Sequence, residues 1–231
     1  MPAIYGLVTV LVLICSILPV YADSGSAPPP TAAFASLPRI ESIQLSPSGR
    51  HLAVLRNHAG QTFLDTQTVS GQDLHRVVST DNREYIITWF RWVNDERLLV
   101  SVRFGATQDA VDSIETRLLA VNRDGTEQIP NLFKQGAFSS IFRQKHFPQF
   151  QDRLVGTIPG DPRHVLLALD LEHPNAPDVY KVDVYTGDRQ LVQANPSSQP
   201  DSKAIAQWIA DRTGTVRAGV GQFQTSVQAI V

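Results

Sequence analysis

Cysteine is nearly absent from this chain. Cys15 is the only one among 231 residues, and nothing after it can form a disulfide or supply a thiolate. Residues 23–231 are nevertheless enough for a substantial core in one or two domains without cross-links. Lysine and arginine are missing ahead of the first apolar run, so only the α-amino group supplies positive charge there. Beyond that run, no basic tract suggests nucleic acid and no charged amphipathic helix suggests peripheral membrane binding. Twenty Lys and Arg stand against 22 Asp and Glu, a formal net charge of −2, with the two signs interspersed. The phosphate-binding G-x-G-x-x-G and Walker loops are absent, as is the G-x-S-x-G elbow that presents a hydrolase serine.

What is present begins with an uncharged apolar segment, Met1 to Ala22. Its core, Ile4 to Ile17, suits a signal peptide and is too short, and too soon followed by Pro19, for a comfortable membrane span. Small Ala22, with Val20 two residues earlier, suits cleavage before Asp23. Leu13 and Ile14 precede Cys15 where a lipoprotein signal has small residues, so Cys15 is expected to leave with the signal. Residues 1–22 are therefore read as a signal peptide and the product as periplasmic or secreted. Retention as a membrane anchor through residues 1–21 is the alternative. Residues 23–33, DSGSAPPPTAA, hold too little apolar surface to offset ordering and are expected to form a disordered tether.

From Phe34 the pattern changes to short apolar bursts with period two, separated by turns. His51–Leu55, Thr62–Thr68, His75–Val78, Ile86–Trp92, Arg97–Phe104 and Arg117–Val121 read as strands. His164–Leu169, Val179–Tyr185, Arg189–Gln193, Ile205–Ala210 and Thr215–Gly221 continue the series. Ser46-Pro47-Ser48-Gly49, Asn94-Asp95-Glu96, Asn122-Arg123-Asp124-Gly125, Thr186-Gly187-Asp188 and Asp211-Arg212-Thr213-Gly214 carry turn chemistry. Phe133–Phe150 is irregular and has room for one short helix. No stretch resembles the crossover helix that a parallel sheet demands. Turn-bearing units begin near Ser46, Asn94, Asp161 and Asp211, at spacings of roughly 50, 65 and 50 residues, and propeller blades repeat at about 40–50. The expected fold of residues 34–231 is all-β, an incomplete β-propeller with about three to four recognisable four-stranded blades, in preference to a sandwich. Such an arc has an open side that something must close.

Individual side chains read mostly as structural. Histidines 51, 58, 75, 146, 164 and 173 form no ligand motif. The densest group, Asp161, His164, Asp170, Glu172 and His173, straddles two loops with no spacing that brings the rings to one ion. Ser46 and Ser48 lack a sequence-defined base and read as turn hydroxyls. Gly49, Gly125, Gly187 and Gly214 read as turn glycines. Trp89 points opposite to Phe90 and Trp92 on a strand, which fits an inter-blade contact better than a ligand cage. Arg50, Arg91, Arg97 and Arg103 suit surface and inter-blade pairing. No catalytic, cofactor-binding or metal residue is assigned, and no cofactor is expected.

LPRIESIQLSPSGRHLAVLRN, within Phe34–Asn57, resembles the start of the propeller in secreted prolyl-oligopeptidase-like serine peptidases of the acylaminoacyl-peptidase or dipeptidyl-aminopeptidase type. Trp92–Val100 is similar to the second blade signature of that family, and Leu118–Gly125 to the strand and turn after it. Asp161–Leu169 and Val179–Gly187 resemble hairpins of its later blades. The resemblance implies a propeller that precedes an α/β-hydrolase domain bearing the charge-relay residues. This sequence stops at Val231, within what reads as a fourth or fifth blade, with no position onto which the serine, aspartate or histidine can be carried. The expectation is a substrate-access or docking propeller, truncated or split, that does not hydrolyse peptides alone. The alternative is an exported propeller that binds an envelope protein. Its expected partners are a separate hydrolase portion, an envelope protein, or another copy through the open blade edge, with peptide substrate only beside a catalytic domain.

Overall fold

A computed structural model describes residues 29–34, 36–108, 111–133, 147–196, 205–223 and 226–230. Contacts divide the chain into Met1–Ser36 and Leu37–Val231. The expected signal peptide lies outside the described residues, as does most of the expected tether. The described end of that stretch enters a single helical turn, α1 (Thr31–Phe34). Ala33 N–H donates to Pro30 O at 2.8 Å, and the Ser36 hydroxyl donates to Ala33 O at 2.9 Å.

The second unit is all-β. Blade 1 contains β1 (Ile40–Leu45), β2 (His51–His58), β3 (Gln61–Thr68) and β4 (His75–Thr80). Blade 2 contains β5 (Ile86–Trp92), β6 (Arg97–Gln108) and β7 (Val111–Asn122). Blade 3 contains β8 (Leu154–Thr157), β9 (His164–Leu169), β10 (Asp178–Asp183) and β11 (Arg189–Gln193). Blade 4 contains β12 (Gln207–Ala210), β13 (Val216–Phe223) and β14 (Ser226–Ile230). Within each sheet the strands pair with their sequence neighbours, and every such pairing is antiparallel. Two blades thus have four strands, and two have three among the described residues. Blade 2 carries a rudiment of a fourth: Ile129 bridges Ala120, and Leu132 N–H donates to Leu118 O at 2.8 Å. Most of the irregular Phe133–Phe150 stretch, with its expected helix, lies outside the described residues.

The alternation of side chains decides the packing. On blade 2, Leu98, Val100, Val102, Leu119 and Val121 join Ala53, Leu55, Leu64 and Val78 of blade 1 in one buried cluster. The intervening Leu99, Leu118 and Ala120 join Val165, Leu167, Tyr180 and Val182 of blade 3. Blade 3 repeats the device, turning Leu166, Ala168 and Val179 toward Ile205 and Trp208 of blade 4. A strand with both faces covered reads as a near-continuous apolar run, which explains Val165-Leu166-Leu167-Ala168-Leu169. Each leucine so buried contributes about 1.5–3 kcal/mol of transfer free energy. First strands of adjacent blades also lie near each other, β1 beside β5 and β8 beside β12. Meander sheets stacked face to face in chain order make an incomplete β-propeller.

Candidate functional site

Polar clamps fasten the blades where their turns meet. Arg97 is 1 % exposed. Its guanidinium donates to Val184 O on blade 3 (2.9 and 3.2 Å), to Asn122 Oδ1 (3.0 Å) and to Glu127 O (2.8 Å), and lies 4.7 Å from the Tyr185 ring centre. Asn94 Nδ2 donates to Pro162 O and to the Tyr185 hydroxyl, also across the blade 2–blade 3 junction. On the other side, Asp95 accepts from Ser48 N–H at 3.0 Å and Arg50 Nη2 at 3.2 Å on blade 1. The Ser48 amide first, then the Ser46 and Ser48 hydroxyls and Arg50, outweigh partial burial and hold the Asp95 carboxyl well below the usual range. Trp92 Nε1 donates to Gln44 O, and Trp208 Nε1 to Pro177 O, each reaching the preceding blade. Phe90 and Trp92 lie in the blade 1–blade 2 core, and Trp89 packs on the opposite side.

The residues with the strongest chemical appeal are separated. His164 Nδ1 meets Asp161 at 2.8 Å, and Lys181 Nζ meets the same carboxylate at 2.7 Å. Partial burial raises the Asp161 pKa, but Lys181, His164 and the Arg163 amide outweigh it and leave the group low. Asp170, Glu172 and His173 follow the opposite end of β9, about 20 Å away at the rise of a strand. Among the described residues, no group of three or more His, Cys, Asp or Glu could hold a metal ion. Ser46 Oγ lies 3.3 Å from His51 N–H, and Ser48 Oγ accepts from Arg50 Nε at 3.1 Å, both within the β1–β2 turn. His146 lies outside the described residues.

One surface with the capacity to bind is the face of blade 1 turned away from blade 2. Register places Ile43 opposite Val54 and Leu45 opposite Leu52 on that face. Ile43 and Leu45 are 55 % and 58 % exposed. Beside them Val54 faces Asp65 across the β2–β3 ladder. The Asp65 side chain is 5 % exposed and pairs with Arg56 and with Arg76 Nε, the latter at 3.0 Å. Arg76 stacks 3.9 Å above the Phe63 ring centre. A cleft of about 410 Å³ opens here, lined by Arg39, Ile40, Val54, Asp65 and Leu74 among others. Sequence reasoning expected an open side to the arc and did not name these residues. A bulge between Leu64 and Asp65 sets Arg76 opposite Asp65, and such a register shift has no local signature in the sequence.

No family model matches the chain, and no curated protein matches it. Solved structures do. An oligogalacturonate lyase in complex with manganese aligns at 11 % identity and a TM-score of 0.46, over 82 % of this chain and 49 % of that one. The β-propeller domain of the Trilobed protease from Pyrococcus furiosus, described as having an open velcro topology, aligns at 14 % identity and 0.40, over 84 % and 66 %. The acylaminoacyl peptidase of Pyrococcus horikoshii aligns at 14 % and 0.40, over 84 % and 37 %. The chain spans about half the length of the lyase, and less of the peptidase. At these scores the fold stands on its own sheet order and packing.

Proposed function

We propose that this chain is a docking propeller of the prolyl-oligopeptidase type, without hydrolytic activity of its own, that works beside a catalytic hydrolase polypeptide. The observation that carries the reading is the unequal covering of its blades. Blades 2 and 3 have both apolar faces buried by neighbours, while blade 1 presents Ile43, Leu45 and the Asp65 cleft outward. An apolar sheet face beside a pre-built ion pair is a surface suited to a partner. The peptidase part of the reading comes from the ordered motifs between Phe34 and Gly187. Export to the periplasm or beyond follows from the reading of residues 1–22.

A second reading has the same face hold an envelope protein unrelated to hydrolysis. Size-exclusion chromatography with light scattering separates the two. The full chain is run alone, with a hydrolase encoded beside its gene, and as the Ile43→Asp/Val54→Asp double variant. A 1:1 complex with the hydrolase that the double variant cannot form is the expected result. A variant that assembles like wild type removes blade 1 from the interface. Failure of wild type to bind the hydrolase removes the peptidase reading.

A further inference from the structure

Strands β6 and β7 are each 12 residues long, but β5 pairs with β6 only as far as Ile86 opposite Arg103. Beyond that point the β6–β7 hairpin projects as an arm, with Gly105 opposite Ile114 and Thr107 opposite Asp112. The direction of its peptide groups follows from the bonds around β7. Thr116 N–H donates to Gln149 O, Ala120 exchanges bonds with Ile129, and Leu118 O accepts from Leu132. Even-numbered residues of β7 therefore point their peptide groups away from β6. Their partners Arg103, Gly105 and Thr107 point theirs toward the line of β5, as antiparallel alternation requires. Among the described residues no main-chain group bonds Gly105 or Thr107 on that side. The opposite edge is occupied, since Gln149 Nε2 donates to Ile114 O at 2.8 Å.

The free edge borders a cleft of about 300 Å³ whose walls include Tyr85, Ile86, Arg103, Phe104 and Ile114. Ile114 is 52 % exposed. A Cβ built on Gly105 would meet nothing within 4 Å, so a second backbone can approach closely. Arg103 is exposed and has no ion-pair partner among the described residues. Arg83 on the same wall has a side chain 87 % exposed, with Asp81 only at 3.9 Å, and Glu84 is the single acid lining the cleft. Free main-chain donors and acceptors, apolar Ile114 and Phe104 and the exposed Arg103 together specify a ligand.

We propose that the arm binds an extended peptide carrying acidic side chains, which adds as a strand beside Gly105 and Thr107 in continuation of β5. Main-chain bonds to the free edge hold the peptide, Phe104 covers its apolar side chains on one face, and Arg103, beside Ile114 on the other, selects a carboxylate. The inference does not rest on peptidase descent, and its test contains no hydrolase, so either idea can fail alone.

Fluorescence anisotropy of the full chain with an acetylated, amidated, fluorescein-labelled Thr-Glu-Val-Glu-Thr peptide tests it, with the lysine analogue Thr-Lys-Val-Lys-Thr as the control. Saturable binding of the glutamate peptide, at least tenfold tighter than the lysine peptide, is expected. Gly105→Pro removes an outward N–H without touching the β6–β7 ladder, and should weaken binding at least tenfold while far-UV circular dichroism stays unchanged. Arg103→Glu should invert the charge preference. Equal or absent binding of the two peptides overturns the proposal, as does wild-type affinity in Gly105→Pro. A Gly105 amide already protected from exchange without peptide would assign the edge to this chain itself. A dimer that Gly105→Pro dissolves would assign it to a second copy, and each of these results also overturns the proposal.

Discussion

Asp95 ties blade 2 to blade 1 with one carboxylate, and its protonation is therefore a stability variable. Its pKa is depressed in the folded chain, chiefly by the Ser48 amide. An ordinary aspartate in the unfolded chain titrates near about 4. The stability it contributes is complete above that value and is lost as pH falls toward the folded value, because only the unfolded state takes up the proton in between. Urea unfolding followed from pH 7 to pH 2.5 should show wild type losing stability below about pH 4. Asp95→Asn should start lower at pH 7 and fall less steeply in acid, with parallel curves contradicting the assignment. Asp161 and Asp183 are depressed as well, so part of the acid loss remains in the variant. At this scale the sequence is informative where chemistry is local. Ser46, Ser48 and Gly49 form their turn as read, with Gly49 N–H donating to Ser46 O. Arg97 shared with Arg50, Arg91 and Arg103 one reading, surface or inter-blade pairing, and nothing in the sequence singled it out, because its inter-blade acceptor, Val184 O, is a main-chain atom remote in sequence. The Arg56–Asp65–Arg76 pairings were not legible, because strand register creates them.

Element boundaries followed the clarity of the side-chain pattern. Ile86–Trp92 and His164–Leu169 carry largely apolar runs against strong turns, Arg189–Gln193 is set by the Thr186-Gly187-Asp188 turn that precedes it, and β5, β9 and β11 have those bounds. β1 is less visible because a bulge between Ile40 and Ser42 breaks its alternation and its apolar residues face outward. β8 is four residues long and also bulged. The arm was cut short at Phe104, since Gly105 and Ala106 carry little strand propensity and a partner strand holds them extended. The turn glycines distinguish conformation from packing. Gly60 and Gly187 share a φ of 80°, but a Cβ at Gly60 enters open space, while one at Gly187 falls 2.3 Å from Leu132 O on blade 2. Gly60→Ala should cost about 1–2 kcal/mol, the left-handed penalty alone. Gly187→Ala should cost a further roughly 1–3 kcal/mol, because backbone must move. Chemical denaturation of the two variants measures both. Equal losses would mean that blade 3 does not press its β10–β11 turn against blade 2.

For the whole molecule, the architecture was readable because propeller packing is repetitive. Each blade signals itself by a turn and an apolar second strand, and each buries its faces against the next. Function was less readable for the same reason, since repeated turns place serines, histidines and aspartates in structural roles. Asp161 and His164 pair, while the rest of their sequence cluster lies beyond the other end of β9. The central claim is that this polypeptide docks and does not hydrolyse. Its most direct test exposes the full chain to a fluorophosphonate serine probe while following turnover of acylated and proline-containing peptides, first alone and then with the separate hydrolase. The account predicts no label and no turnover on this chain alone, with activity appearing only in the 1:1 complex and the label confined to the hydrolase. A probe-labelled serine on this polypeptide, with turnover to match, would contradict it.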